Sequence, residues 1–284
     1  MGIFGLKKGC RKDAVISVFP ISFEKMDRRN GGLCMRVGYI SPIQMQKIEH
    51  VYQPMWNVTN VCKFGHEALL RFPEGRFEGN IEAAFTIART EGTLYELDTR
   101  SIAEAIIKFP FEKLAGQLLF VNIYPSTFIH PHFPLFLAQL VASVPGLHGN
   151  VVFEVNETKQ EEAYWDLPEM KDRMALVREY GFAVALDDIG KGAAGLQKII
   201  EFSPDYIKLD RYFADGLSSS TEKQEMVSLL LHYAKDKMGV ILEGVEKEED
   251  FAAAKAIHVP LIQGYLLGFP EKPAALFCQV HPAR

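Results

Sequence analysis

Little in this sequence points to a disulfide framework, a zinc centre or a membrane span. The four cysteines stand far apart, at positions 10, 34, 62 and 278. No pair has CxxC spacing and none lies beside a histidine at zinc-ligand spacing, so reduced thiols in a cytoplasmic protein are expected. No apolar run reaches the roughly 18 residues that a membrane span requires. Basic residues are outnumbered, with 31 Lys and Arg against 36 Asp and Glu and a formal net charge of -5. That balance argues against an extended nucleic-acid footprint, which needs a basic surface. A small anion held by metal ions stays open. Lys7, Lys8, Arg11 and Lys12 cluster near the start, but no signal-peptide core of the right length follows. They are expected to form a solvated tail.

What is present is a folded globular composition, 48% hydrophobic and 24% charged over 284 residues. Short apolar runs at 51–56, 64–71, 117–123, 150–155, 182–187, 205–209, 239–243 and 261–263 lack polar alternation. Strands buried on both faces read this way. Helical stretches separate most of them. One is Lys223 to Lys237, where Met226, Leu229, Leu230 and Tyr233 share a face and are expected to pack inward. Strands alternating with helices predict right-handed crossovers and a parallel sheet. Eight strands suit closure into a (β/α)8 barrel, whose usual length is about 250 residues. An open doubly wound sheet competes, but no GxGxxG follows the first strand. Asn57 to Lys63 is too short for a crossover helix, so the first two strands are expected to be antiparallel. Residues 1–45 do not fit the repeat and are expected to form an N-terminal extension to a barrel at 46–284.

The polar residues fall at the strand ends. Glu67 interrupts the second strand, Asn122 ends the third, Glu154 the fourth, and Asp187 and Asp188 the fifth. Lys208 ends the sixth, Glu243 the seventh and Gln263 the eighth. In an α/β barrel these ends converge on one mouth. Five carboxylates there resist joint ionisation unless divalent cations neutralise them, and all-oxygen ligation selects Mg2+, Mn2+ or Ca2+. A lone acid at a strand end is more often a helix cap or a surface residue, and recurrence at successive ends is what favours ligands. Glu157 and Glu246 also suit the first turn of a helix. His66 is expected to point away from the mouth if Glu67 points in, and His130 and His132 to be surface or capping residues. Gly190-Lys191-Gly192 lacks the spacing of a phosphate loop.

In order along residues 46–280 stand Tyr52-Gln53-Pro54, Glu67-Ala68-Leu69-Leu70-Arg71, Val121-Asn122 with Pro125, and Glu154-Val155-Asn156-Glu157. They are followed by Asp187-Asp188-Ile189-Gly190, Lys208-Leu209-Asp210, Glu243-Gly244-Val245-Glu246, and Gln263-Gly264-Tyr265-Leu266 with Gly268 and Pro270. This ordered set resembles the EAL-domain phosphodiesterases, which hydrolyse cyclic di-GMP, a bacterial second messenger, to the linear dinucleotide pGpG. The resemblance implies a TIM-like barrel and two Mg2+ or Mn2+ ions. It assigns Glu67, Asn122, Glu154 and Asp187 to one metal, with Asp187 bridging to a second beside Asp188. It makes Glu243 the general base, with Lys208 positioning the attacking water. Gln53, Arg71, Asp210, Gln263, Gly268 and Pro270 would face the substrate, with Glu157 and Glu246 in support. Two metals suit in-line displacement at phosphorus, because they stabilise both the attacking and the leaving oxygen. A homodimer is a further expectation.

The chain departs from the family after Asp188. Active members read DFGTGYSS there; this chain reads Asp188-Ile189-Gly190-Lys191-Gly192-Ala193-Ala194-Gly195. Asn156 replaces the usual Thr, and Tyr124 stands where Ser is common. No proposed ligand is lost. Three readings follow: a metal-dependent cyclic di-GMP phosphodiesterase, a catalytically impaired receptor or interaction module for the same ligand, and a barrel metalloenzyme on another phosphodiester.

Overall fold

A computed structural model of the chain describes residues 47–73, 80–190 and 194–276. The expected extension at 1–45 and the loop residues Lys191, Gly192 and Ala193 lie outside them. Eight strands close a barrel in chain order: β1 (Glu49–Asn57), β2 (Cys62–Arg71), β3 (Leu118–Ile123), β4 (Val151–Val155), β5 (Ala183–Ile189), β6 (Tyr206–Leu209), β7 (Gly239–Leu242) and β8 (Leu261–Gln263). β1 runs antiparallel to both β2 and β8, and every other pairing is parallel. The short link after Asn57 dictates this, since it leaves room only for a hairpin. β1 and β8 meet over three residue pairs, Met55 with Gln263, Trp56 with Ile262 and Asn57 with Leu261. Trp56 Nε1 donates to Leu267 O at 3.1 Å and reinforces that seam.

The longer helices among the described residues are α1 (Ile81–Thr90), α2 (Leu94–Lys108), α3 (Phe133–Ser143), α4 (Glu169–Glu179), α5 (Ala194–Phe202), α6 (Thr221–Ala234) and α7 (Glu248–Ala256). None is long and apolar enough to cross a membrane. α6 corrects the reading of its sequence. Its buried residues are Val227, Leu230 and Ala234, while Met226, Leu229 and Tyr233 are exposed, Leu229 by 62%. The helix carries two apolar stripes, and the smaller side chains pack inward.

Met55, Phe120, Val152, Ala185, Ile241 and Leu261 form an apolar plug inside the barrel. Side chains alternate along a strand, so the next inward position lies two residues away. Asn122, Glu154, Asp187, Glu243 and Gln263 each stand two residues beyond a plug residue. Gln53 stands two before Met55, because β1 runs the other way. The polar ring therefore forms one layer above a dry floor.

The opposite faces of the strands pack on helices. His66 is fully buried there, 5.6 Å from the Phe109 ring, with no partner for either ring nitrogen among the described residues. His50 is buried with Nε2 3.0 Å from Ser101 Oγ. Burial pushes both imidazoles down from 6.5 to about 4. A histidine kept neutral by the fold binds its proton less tightly than in the unfolded chain. Stability is then full above about pH 6.5 and is lost as the pH falls toward 4, by on the order of 3 kcal/mol per histidine. His66→Leu removes one orphaned polar ring. We expect it to raise stability by about 1 kcal/mol at pH 7 and to reduce the loss on acidification. Urea unfolding at pH 7.5 and pH 5 tests both; equal pH dependence in the two proteins would sink the idea.

Candidate metal centre at the barrel mouth

Lys208 occupies the middle of the polar ring. Its ammonium lies 2.6 Å from Glu243 Oε1, 3.3 Å from Glu67 Oε2 and 3.5 Å from Asp187 Oδ1, and it donates to Glu154 Oε1. Burial alone would lower the lysine, but Asp187, Glu154, Glu243 and Glu67 together hold it well above its usual range. Glu67 is also burdened by burial. Lys208 and two amides outweigh this and keep it low: Asn122 Nδ2 donates to Oε1 at 3.1 Å and Gln263 Nε2 to Oε2 at 2.8 Å. Glu154 goes the other way, pushed well up by burial against the pull of Lys208. Glu243 rises to about 8 for the same first reason, with Asp187 and Glu67 adding repulsion.

One ammonium thus faces four carboxylates, and the ring is short of positive charge. Glu154 Oε2 and Gln263 Oε1 are buried with no hydrogen-bond donor among the described residues. Two carboxylate triplets have oxygens close enough to share a cation, Glu67 with Glu154 and Glu243, and Asp187 with Asp188 and Glu243. The donor set is all oxygen and suits a hard divalent ion. The two triplets meet at Glu243, whereas the resemblance gave the bridging role to Asp187.

Adjacent residues in a regular strand point to opposite faces, so Asp187 and Asp188 should not both reach the mouth. Asp188 has φ 56, and the β5–β6 register slips between Leu186 and Ile189. This local irregularity turns both carboxylates toward Glu243.

The other expected site residues scatter around the rim. Gln53 pairs with Glu67 across the β1–β2 ladder, and its Nε2 donates to Gly268 O at 3.3 Å. A Cβ at Gly268 would come within 2.4 Å of Pro54, so glycine is required where the closing segment crosses β1. Pro270 precedes Glu271, whose backbone pairs both ways with Tyr52. Arg71 ends β2, donates to Leu70 O at 2.7 Å, and lines a cavity of about 180 Å³ together with Asn122, Tyr124 and Asn156. Asp210 is buried and caps the turn Arg211–Ala214 through Tyr212 N at 2.9 Å. Glu246 stands apart, paired at 3.7 Å with Arg211 in an exposed position. Glu157 pairs with Lys198 at 3.2 Å.

One residue of that cavity escaped the sequence reading. Asp98 on α2 is buried, accepts from Tyr124 N at 2.9 Å, and is raised by burial to about 7. The signal was available: Asp98 falls on the helix face of Leu94 and Ile102, where a carboxylate is uncommon.

Comparison with known proteins places this geometry among relatives. The cyclic di-GMP phosphodiesterase PdeF of Escherichia coli K12 is 27% identical over 95% of this chain, which spans 37% of that protein. The probable cyclic di-GMP phosphodiesterase PdeN of the same organism is 27% identical over 81% of this chain, which spans 45% of it. Klebsiella pneumoniae BlrP1, solved as a calcium and cyclic di-GMP complex, superposes with a TM-score of 0.70 at 27% identity. The superposition covers 82% of this chain and 58% of that one. The chain therefore spans less than half of these two curated relatives. The family model described as the EAL domain matches residues 41–270, and on that match the chain belongs to the EAL domain family.

Proposed function

We propose that this chain hydrolyses cyclic di-GMP to linear pGpG in a reaction that depends on Mg2+ or Mn2+. The observation that carries the reading is the ring of four carboxylates about Lys208, with Asp188 turned inward beside it. Glu67, Asn122, Glu154, Asp187 and Asp188 would hold two divalent ions, which when bound supply Lewis acidity and neutralise phosphate charge. PdeF carries the name of this activity, and BlrP1 has been solved with calcium and with manganese beside cyclic di-GMP.

The chain's own residues do the rest. Glu243 accepts the proton of the attacking water, and Lys208 fixes the Glu243 carboxylate from 2.6 Å. Arg71 presents a planar fork to a phosphate or a guanine edge. Tyr265 and Phe269, stacked at 4.7 Å and exposed next to Gly268, add a flat apolar surface for a base.

The test is turnover and binding measured together. Purified protein with Mn2+ should convert cyclic di-GMP to pGpG, and EDTA should abolish this. Tight binding without turnover in either metal would establish the receptor reading, for which the departures Ala194 and Gly195 speak. Absence of binding removes both. We propose the cytoplasm as the location, a reading that the four widely spaced cysteines favour. A homodimer is supported by the exposed Leu196 and Ile200 on α5 and Met226 and Leu229 on α6. Sedimentation showing only monomer at micromolar concentration would refute it.

A further inference from the structure

Lys198 sits in the middle of α5 and is only 8% exposed. Lysines are rarely buried to this degree without a partner. Here two partners come from separate parts of the chain. The ammonium is 3.2 Å from Glu157 Oε1, in the connection after β4, and 4.4 Å from the centroid of the Trp165 ring, in the turn Glu162–Trp165. The Glu157 side chain is itself only 13% exposed. The ion pair therefore joins three segments with little water to screen it.

Glu157 lies beside Gly195 at the start of α5, where the Ile189 side chain also packs. A Cβ at Gly195 would be 3.9 Å from both Glu157 oxygens and 3.3 Å from Ile189 Cδ1. Ile189 directly follows Asp188, the residue held at φ 56. Ala194 and Gly195 offer Glu157 no side-chain donor, and Lys198, one turn further on, supplies the charge. Burial pushes the Glu157 carboxyl up, Lys198 opposes this, and Asp188 and Asp187 lie close enough to add repulsion.

We infer that Lys198 is a positioning residue: seated on Trp165, it clamps Glu157 and so fixes the Asp188 end of the metal centre. The inference rests on the metal-dependent reading of the site. It assigns no contact with substrate to Lys198. A supporting residue of this kind typically governs metal affinity and rate together, because a ligand that is free to turn binds less well.

The experiment compares wild type with Lys198→Met, Lys198→Arg and Glu157→Gln. Mn2+ affinity is measured by titration, and cyclic di-GMP turnover is measured in saturating Mn2+. Lys198→Met should weaken Mn2+ binding about tenfold or more and lower kcat to a similar extent, with KM changed by less than about twofold. Lys198→Arg should restore most of both, and Glu157→Gln should reproduce the Lys198→Met loss. Unchanged Mn2+ affinity and kcat in Lys198→Met overturn the inference, as does failure of Lys198→Arg to recover either. If Lys198→Met does not fold, Glu157→Gln decides: wild-type values there overturn it. A wild type that binds Mn2+ but leaves cyclic di-GMP intact defeats the proposed activity, while the Mn2+ titrations of the variants still judge Lys198. A wild type that binds no Mn2+ defeats both.

Discussion

Glu243→Gln leaves a folded protein that binds cyclic di-GMP and turns it over about a thousandfold more slowly, the size of effect a general base carries. The amide keeps the shape of the side chain and still accepts from Lys208, so the ring stays assembled. It cannot take a proton from water. Glu243 suits that task because burial lifts its carboxyl to about 8, against the pull of Lys208. A base works only when unprotonated, so kcat/KM should rise with pH through this group. Cations bound beside it favour the charged form, which puts the acidic limb below pH 8 in the loaded enzyme. That limb should disappear in the variant. A variant within tenfold of the wild-type kcat would move the base elsewhere. Loss of Mn2+ affinity in parallel with kcat would give Glu243 a ligand's role, which its place in both carboxylate triplets allows.

Lys208→Met should be the most destabilising change at the mouth, and its cost should depend on metal. Removing the ammonium leaves Glu67, Glu154, Asp187 and Glu243 with no buried cation between them. Breaking a buried pair in this way typically costs about 3–5 kcal/mol. In EDTA at neutral pH the urea midpoint should therefore fall sharply. Lowering the pH should shrink the deficit, because Glu154 and Glu243, which burial pushes up, then fold in protonated form. Mn2+ should recover much of it, since a ligand that binds only the folded state stabilises that state by mass action. Activity should stay low even then, with Glu243 no longer held from 2.6 Å. Equal stability of the two proteins in EDTA would overturn this account of Lys208.

The barrel was largely legible because its strands are buried on both faces, and so appear as unbroken apolar runs such as Val151-Val152-Phe153. The polar ring was legible for a related reason. Asn122, Glu154 and Asp187 each interrupt or end such a run two positions past a plug residue, and the period of a strand carries that information. Helix contributions were harder. α6 has two apolar stripes of similar length, and only the packed structure decides that Leu230 faces in and Leu229 out. Asp98 and Lys198 reach the site's surroundings from helices, through partners 26 and 41 residues away or more (Tyr124 and Glu157). No local periodicity encodes such distances. The inward turn of Asp188 depends on one backbone angle at a residue that is not glycine, and composition is silent on it.

The short seam between β1 and β8 bears on biosynthesis. Glu67 is translated well before its partners: one of its hydrogen bonds comes from Gln263, 196 residues later, and its ion pair from Lys208, 141 residues later. Until β6 and β8 have been made, the acidic residues of β2, β4 and β5 exist without the lysine and the Gln263 amide that complete the centre. Such non-local closure is slow compared with local helix formation. A nascent chain carrying all but its last strand would own nearly every ligand and still lack the ring. Pulse-labelled intermediates should accordingly acquire metal affinity only in the final stage of folding, when β8 docks on β1.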